Sequence, residues 1–244
     1  MRPPHPAVGA AAAVLSVGAL VAGYQAGFGP HSQHFGPFPY RGGTDEKVVA
    51  LTFDDGPNEP WTTRLLDVLA AREVPATFFQ VGRCAERHPD TTRRVLAEGH
   101  VLGNHSLSHA FRRYATQPRQ EEEIRRGQEV LRDIAGVTPL LYRPPWLCHW
   151  PWVLEGIARS GSSPVSGTFG HPWEILQPPA QRLTAGAVRR ARPGGMLILH
   201  DGREARGGPR GQTVAAVGPL IDALRTQGYT FTTADRLLGV DPYG

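Results

Sequence analysis

From Lys47 to the carboxyl terminus, short apolar runs alternate with amphipathic stretches, and this alternation restricts the fold more than any other feature of the chain. Val48-Val49-Ala50-Leu51-Thr52-Phe53 is too short for a helix and too apolar for a half-wet strand, so it reads as a strand buried on both faces. Ala76 to Val81, Val101 to Asn104, Leu140 to Tyr142 and Met196 to Leu199 read the same way, with a weaker run at Pro164 to Ser166 and a last strand at Tyr229 to Thr232. Between them lie stretches of helical spacing. Thr62 to Arg72 puts Leu65, Leu66 and Leu69 on one side. His88-Pro89-Asp90 starts a helix that Thr91 to Glu98 continues, and Gln120 to Ile134 is a charged helix ended by Gly136. Trp152 to Arg159, Gln181 to Arg190 and Val214 to Arg225 complete the set. Repeated β–α units imply a parallel sheet covered by helices, open or closed into a barrel. The chain has 244 residues, 40% of them apolar, enough for the core of one such domain.

Polar signatures sit just after the expected strands: Asp54-Asp55, His105, Arg143 and His200. In parallel α/β folds the site lies at the carboxyl ends of the strands, so these clusters converge on one rim. Thr52-Phe53-Asp54-Asp55-Gly56-Pro57 gives two adjacent carboxylates that point different ways, one free to bind a metal and one to polarise a water. Alone, such a segment is more often an Asp-rich turn. His105-Ser106-Leu107-Ser108-His109 spaces two imidazoles four apart, which on a helical turn share a face and grip one cation; alone, it is more often a surface pair. Arg143, before Pro144-Pro145-Trp146, has the fork that holds a carboxylate. His200 suits a general acid or base, and equally a buried structural histidine.

In this order and context the segments resemble the polysaccharide deacetylases of carbohydrate esterase family 4, over about Val48 to Gly239. The Thr-Phe-Asp-Asp-Gly-Pro and His-Ser-x-x-His segments carry the resemblance, with Ala76-Thr77-Phe78-Phe79-Gln80-Val81-Gly82 reading like the family's second strand. The resemblance implies a distorted (β/α) barrel with fewer than eight regular units. It implies Asp55, His105 and His109 as ligands of a divalent metal, commonly zinc, with cobalt, manganese or nickel as alternatives. It also implies Asp54 as base, Arg143 orienting that base, and His200 as general acid. Sugar contacts fall on Pro145, Trp146 (whose backbone N–H helps hold the oxyanion), Trp173 and Ile198, the last standing where the family has a leucine lining the acetyl pocket. The activity implied is hydrolysis of N-acetyl groups on N-acetylglucosamine-type sugars of an envelope or extracellular polysaccharide.

Two positions depart from the family pattern. Leu147 stands where Arg-x-Pro-x-Gly ends in glycine, and Cys148-His149-Trp150 makes an unusual rim. Pro172, before Trp173, stands where the family has the carboxylate that partners the acid histidine; Glu174 and Asp201 are the candidates to replace it. A lost partner leaves two other readings open: an O-acetyl esterase, since an ester needs less help from an acid, or a weakened glycan-binding homologue.

Ala7 to Gly29 holds no charged residue and, as a helix, spans roughly 35 Å. It reads as a membrane anchor or as a signal peptide cleaved near Val21-Ala22-Gly23; either exports the rest, to the outer face of the membrane or beyond. Residues 30–46 read as a linker and 47–244 as the catalytic domain. The net charge of +4 comes almost wholly from arginine, Lys47 being the one lysine. No basic cluster is interleaved with aromatics, which argues against nucleic acid as a partner. Cys84 and Cys148 read as separate small core residues, with a disulfide as the alternative. A monomer is expected.

Overall fold

The computed structural model describes residues 18–114 and 119–244. Eight parallel strands form one curled sheet: β1 (Val48–Asp54), β2 (Thr77–Gln80), β3 (Val101–Asn104), β4 (Leu141–Tyr142), β5 (Ser163–Pro164), β6 (Thr168–Phe169), β7 (Gly195–His200) and β8 (Thr230–Thr232). The spatial order is β5-β4-β3-β2-β1-β7-β6. β7 runs along one edge of β1, while β8 pairs with its start at Val48 to Ala50 and β2 with its end at Thr52 to Asp54. Among the described residues β5 and β6 are not paired, so the barrel expected from the sequence is incompletely closed.

Helices cover the outside. They are α1 (18–28), α2 (Trp61–Ala70), α3 (Gly82–Arg87), α4 (Pro89–Ala97), α5 (Phe111–Tyr114), α6 (Arg119–Ala135), α7 (Pro151–Arg159), α8 (Ala180–Arg190), α9 (Gly211–Thr226) and α10 (Ala234–Leu238). Proline at the first position of α4 and α7 is favourable, because that N–H has no intrahelical partner. The short α3, α5, α10 and β6 were not expected: each is too brief to show a period.

The two-residue period of β1 explains both core and site. Val49, Leu51 and Phe53 point outward and are buried against Leu65, Leu66 and Leu69 of α2 and Val217, Leu220, Ile221 and Leu224 of α9. Each such leucine contributes about 1.5–3 kcal/mol by leaving water. Ala50, Thr52 and Asp54 point into the barrel, where Ala50 packs with Phe79, Leu141 and Met196. The packing of the outer face therefore aims Asp54 at the barrel mouth.

The segment before β1 lacks regular structure, as a linker would, yet it is tied to the barrel. Phe38 is fully buried, Gln33 bonds both backbone groups of Phe38, Ser166 Oγ donates to the Pro30 carbonyl, and Arg41 forms a bridge with Gly195. Residues 7–17 of the uncharged run lie outside the described residues, and no described helix is long and apolar enough to cross a membrane. Cys84 and Cys148 are both free and buried, and burial pushes the thiols up to about 12 and about 11, so they are inert core residues.

Candidate metal and catalytic site

Asp55 follows β1 with φ of 76°, in the left-handed region that strands avoid. That turn swings its carboxylate away from the Asp54 direction. Its Oδ1 lies 3.3 Å from His105 Nε2 and 3.2 Å from His109 Nε2, and all three residues are buried. Gly56 makes the turn possible: a Cβ there would fall 2.1 Å from Asp201 Oδ2.

The two histidines do not share a helical turn, contrary to the sequence expectation. They lie on a loop after β3 in which Ser106 and His109 have φ of 73° and 51°. Side chains hold this strained loop. Asn104 Oδ1 accepts from the Ser106 N–H, Ser106 Oγ accepts from the His109 N–H, and the buried Glu123 of α6 accepts from both the N–H and the hydroxyl of Ser108. The imidazoles meet through loop geometry, with ring centroids 5.1 Å apart.

The chemistry of the donor set suits a cation. His105 Nδ1 lies 2.6 Å from the Arg143 carbonyl oxygen, which only accepts, so Nδ1 carries the proton and Nε2 presents a lone pair. Burial pushes His109 down to about 4, against the pull of Asp55, so it too offers a neutral ring. Asp55 Oδ2 accepts from the Glu204 N–H, while the buried Oδ1 receives no hydrogen bond. Lone pairs converging within 4.8 Å repel one another and attract a cation, so the residues fit a divalent metal held by two nitrogens and one oxygen.

Asp54 is gripped from the other side. Arg143 is fully buried and its Nη1 donates to Asp54 Oδ1 and Thr52 Oγ1, both at 2.7 Å. Nη2 donates to the Ser166 carbonyl at 2.7 Å, and the guanidinium lies 4.1 Å from the Phe79 ring centroid. A fork fixed at so many points holds Asp54 in one orientation.

His200 ends β7 directly opposite Asp54. Its partner is Glu174, buried in a 3-10 turn, Glu174–Leu176. Oε2 accepts from His200 Nδ1 at 3.0 Å, and Oε1 accepts from the His200 backbone N–H at 3.0 Å and from Thr213 Oγ1 at 2.9 Å. Burial alone would lower this imidazole; the charge and hydrogen bond of Glu174, helped by Asp55 and Asp54, push it up to about 9. Asp201, the other candidate partner, turns to Thr62 Oγ1 at 2.6 Å, and burial pushes it up to about 7.

Asp54, Asp55, His105, His109 and His200 line one pocket of about 140 Å³. Of the expected sugar contacts only Trp146 joins them there. Pro145 is buried at the start of a 3-10 turn, Ile198 lies in a cluster with Phe38 and Leu147, and Trp173 is 64% exposed outside the pocket. Pro144, Leu147, Phe169 and Ile175 line the wall instead, with Glu204 and Arg210. Leu147 has φ of 55°, so the position where the family pattern has glycine keeps a glycine-like backbone here, and its side chain gains burial in return. Arg210 escaped the sequence reading because it lies in a loop with no pattern; its Nε donates to the Gly202 carbonyl.

A parallel barrel that gathers two imidazoles and a carboxylate beside a second carboxylate and a carboxylate-paired histidine has the parts that metal-assisted hydrolysis uses. The family profile described as polysaccharide deacetylase matches residues 41–161. A peptidoglycan-N-acetylglucosamine deacetylase of Bacillus cereus is 33% identical over 195 residues, covering 80% of this chain and 89% of that protein. A chitooligosaccharide deacetylase of Rhizobium leguminosarum bv. trifolii is 34% identical over 198 residues, covering 77% and 90%. The fold matches a solved peptidoglycan N-acetylglucosamine deacetylase with a TM-score of 0.77 at 28% identity, over 83% of this chain and 93% of that one. The chain belongs to the polysaccharide deacetylases of carbohydrate esterase family 4, a family of metal-dependent deacetylases.

Proposed function

We propose that the chain removes N-acetyl groups from N-acetylglucosamine units of an envelope or extracellular glycan, outside the cytoplasm. The substrates named for its relatives support the sugar, and the uncharged run at residues 7–29 supports export. Asp55, His105 and His109 would hold the metal, zinc in the first instance. A divalent cation bound there supplies polarisation of the acetyl carbonyl and a more acidic water. Asp54, aimed by Arg143, takes the proton of the attacking water. The backbone N–H of Trp146, on its left-handed turn, serves the oxygen that gains charge. His200 gives a proton to the sugar nitrogen as its bond to the acetyl carbon breaks, and acetate and a free amine leave.

The observation that carries this reading is the Glu174–His200 pair, because an amine departs poorly unless protonated and Glu174 keeps the acid charged well above neutral pH. The ester and binding-only readings rested on a missing carboxylate, and Glu174 supplies one. Acetate release from N-acetylglucosamine oligomers, with zinc and with chelator, tests the proposal. Zinc-dependent release is expected; none from a folded, metal-loaded chain would overturn it.

A further inference from the structure

Exposed large apolar side chains fall in three groups among the described residues. They are Leu20, Val21 and Tyr24 on α1, Phe111 at the start of α5, and Trp173, Ile175 and Leu176 after β6. α5 and the 3-10 turn both follow carboxyl ends of strands, where the pocket opens. Ile175 lines the pocket, and Phe111 meets the ring of Trp146 edge-on with centroids 5.2 Å apart.

α1 docks at this same end. The His149 N–H, in the loop after β4, donates to the Gly27 carbonyl at 2.9 Å, and Phe28 meets the Trp150 ring edge-on at 6.4 Å. A Cβ on Gly27 would fall 2.5 Å from that ring, so the close seat requires glycine. The carboxyl end of α1 therefore sits against the loop after β4, whose Leu147 lines the pocket. Arg112 on α5 and Arg203 on the loop after β7 are exposed, and neither has a carboxylate partner among the described residues.

A sugar platform accounts for Trp173 and Phe111, whose rings can stack on a pyranose. It does not account for the aliphatic Leu20, Val21 and Leu176. A tryptophan with aliphatic neighbours and unpaired arginines matches the boundary layer of a bilayer, where rings sit among headgroups and arginine meets anionic lipid. We infer that the carboxyl-end face, together with α1, seats on a bilayer containing anionic phospholipid, so that the pocket opens at the boundary between membrane and glycan. The substrate reached first is then glycan lying against the membrane. The seating holds whatever acyl group the site removes.

The test uses the full chain. Cys84 and Cys148 are buried, so an introduced thiol is the accessible one. Leu176→Cys places a polarity-sensitive dye on the proposed face. Asp241→Cys places it at the opposite end, beside the bridge between Pro139 and Tyr243 that precedes β4. With vesicles of phosphatidylcholine and phosphatidylglycerol, the dye at 176 is expected to shift to the blue and to be quenched by headgroup-labelled lipid, while the dye at 241 does neither. Leaving out phosphatidylglycerol should weaken the shift. Sedimentation with vesicles while the dye at 176 stays in water would overturn the inference, since the apolar run would then anchor without seating the face. A shift produced by N-acetylglucosamine oligomers but not by vesicles would make the face a sugar platform, and one that tracks protein concentration alone would make it a contact between copies; either outcome also overturns it.

Discussion

Replacing Glu174 by glutamine removes one charge and keeps the size. His200 stands at about 9 against an ordinary 6.5, and Glu174 is the largest of the influences that raise it. With that charge gone, burial still lowers the imidazole, and a cation at Asp55 offsets that carboxylate's help. His200 should then fall by about two units or more, which is roughly 3 kcal/mol of preference for the charged ring. The acid works only when protonated, so wild-type kcat should hold above neutral pH and decline at or below about 9, since a cation at Asp55 offsets that carboxylate's help in the wild type too. In Glu174→Gln the decline should begin near neutrality, leaving activity at pH 8 down by roughly tenfold or more. Stability should follow the same sign. The folded state holds the His200 proton more tightly than the unfolded chain does, so its contribution is complete below pH 6.5 and lost as pH rises through about 9. The variant should lack that decline. The assay is kcat against pH with the metal-loaded protein, with Tm followed over the same range. A basic limb that stays in place in Glu174→Gln would refute the assignment of Glu174 as the partner of His200.

Asp201→Asn is the matched control: its side chain faces Thr62, so the basic limb of the same profile should not move. Glu123→Ala frees the loop that carries His109, and metal affinity measured by competition with a chromogenic chelator should fall about 10–100-fold. Arg143→Met leaves Asp54 buried without its partner, and the loss should be about 3–5 kcal/mol in denaturant unfolding, with activity abolished. Leu66→Ala should cost about 2–5 kcal/mol in the same measurement while metal affinity is unchanged, which separates the outer core from the site.

The strands were legible because a buried parallel strand has one pattern, an unbroken apolar run, and β1, β3 and β7 carry it. Asp55, His105 and His109 do come together, and as candidate ligands they were legible because their motifs are contiguous. Their geometry was not: spacing of four suggested a helical turn for His105 and His109, but Asn104, Ser106 and Glu123 hold the loop in left-handed turns that no periodicity announces. The pocket wall was read less well, since Leu147, Phe169 and Ile175 reach it from segments far apart in the chain. The family resemblance implied Ile198 as a wall residue, yet side chains two apart on a strand share a face at different depths, and Ile198 packs with Phe38 and Leu147 and is absent from the pocket lining.

The partner of His200 shows how a carboxylate moves along a sequence without leaving its place in space. Pro172 has no acid to offer, and the chain beyond it folds into a tight turn in which the Glu174 N–H donates to the His171 carbonyl. That turn carries Glu174, two residues later than the family pattern, back under the end of β7. There the glutamate spans two atoms of one residue, the ring nitrogen and the backbone nitrogen of His200. A contact to the ring alone would leave the imidazole free to pivot; the second anchor fixes the carboxylate to the strand that presents the ring. α9 locks the arrangement from behind. Thr213 donates to Glu174 Oε1, and Gln177, which caps the 3-10 turn, accepts from the Gln212 N–H and donates to Thr213 Oγ1. Disturbing Gln177 should therefore loosen the acid without touching it. Gln177→Ala is expected to lower kcat with KM little changed and to move the basic limb part of the way that Glu174→Gln moves it. If Gln177→Ala reproduces the wild-type profile, Glu174 holds His200 without help from Gln177, and the turn with the Thr213 contact is scaffold enough.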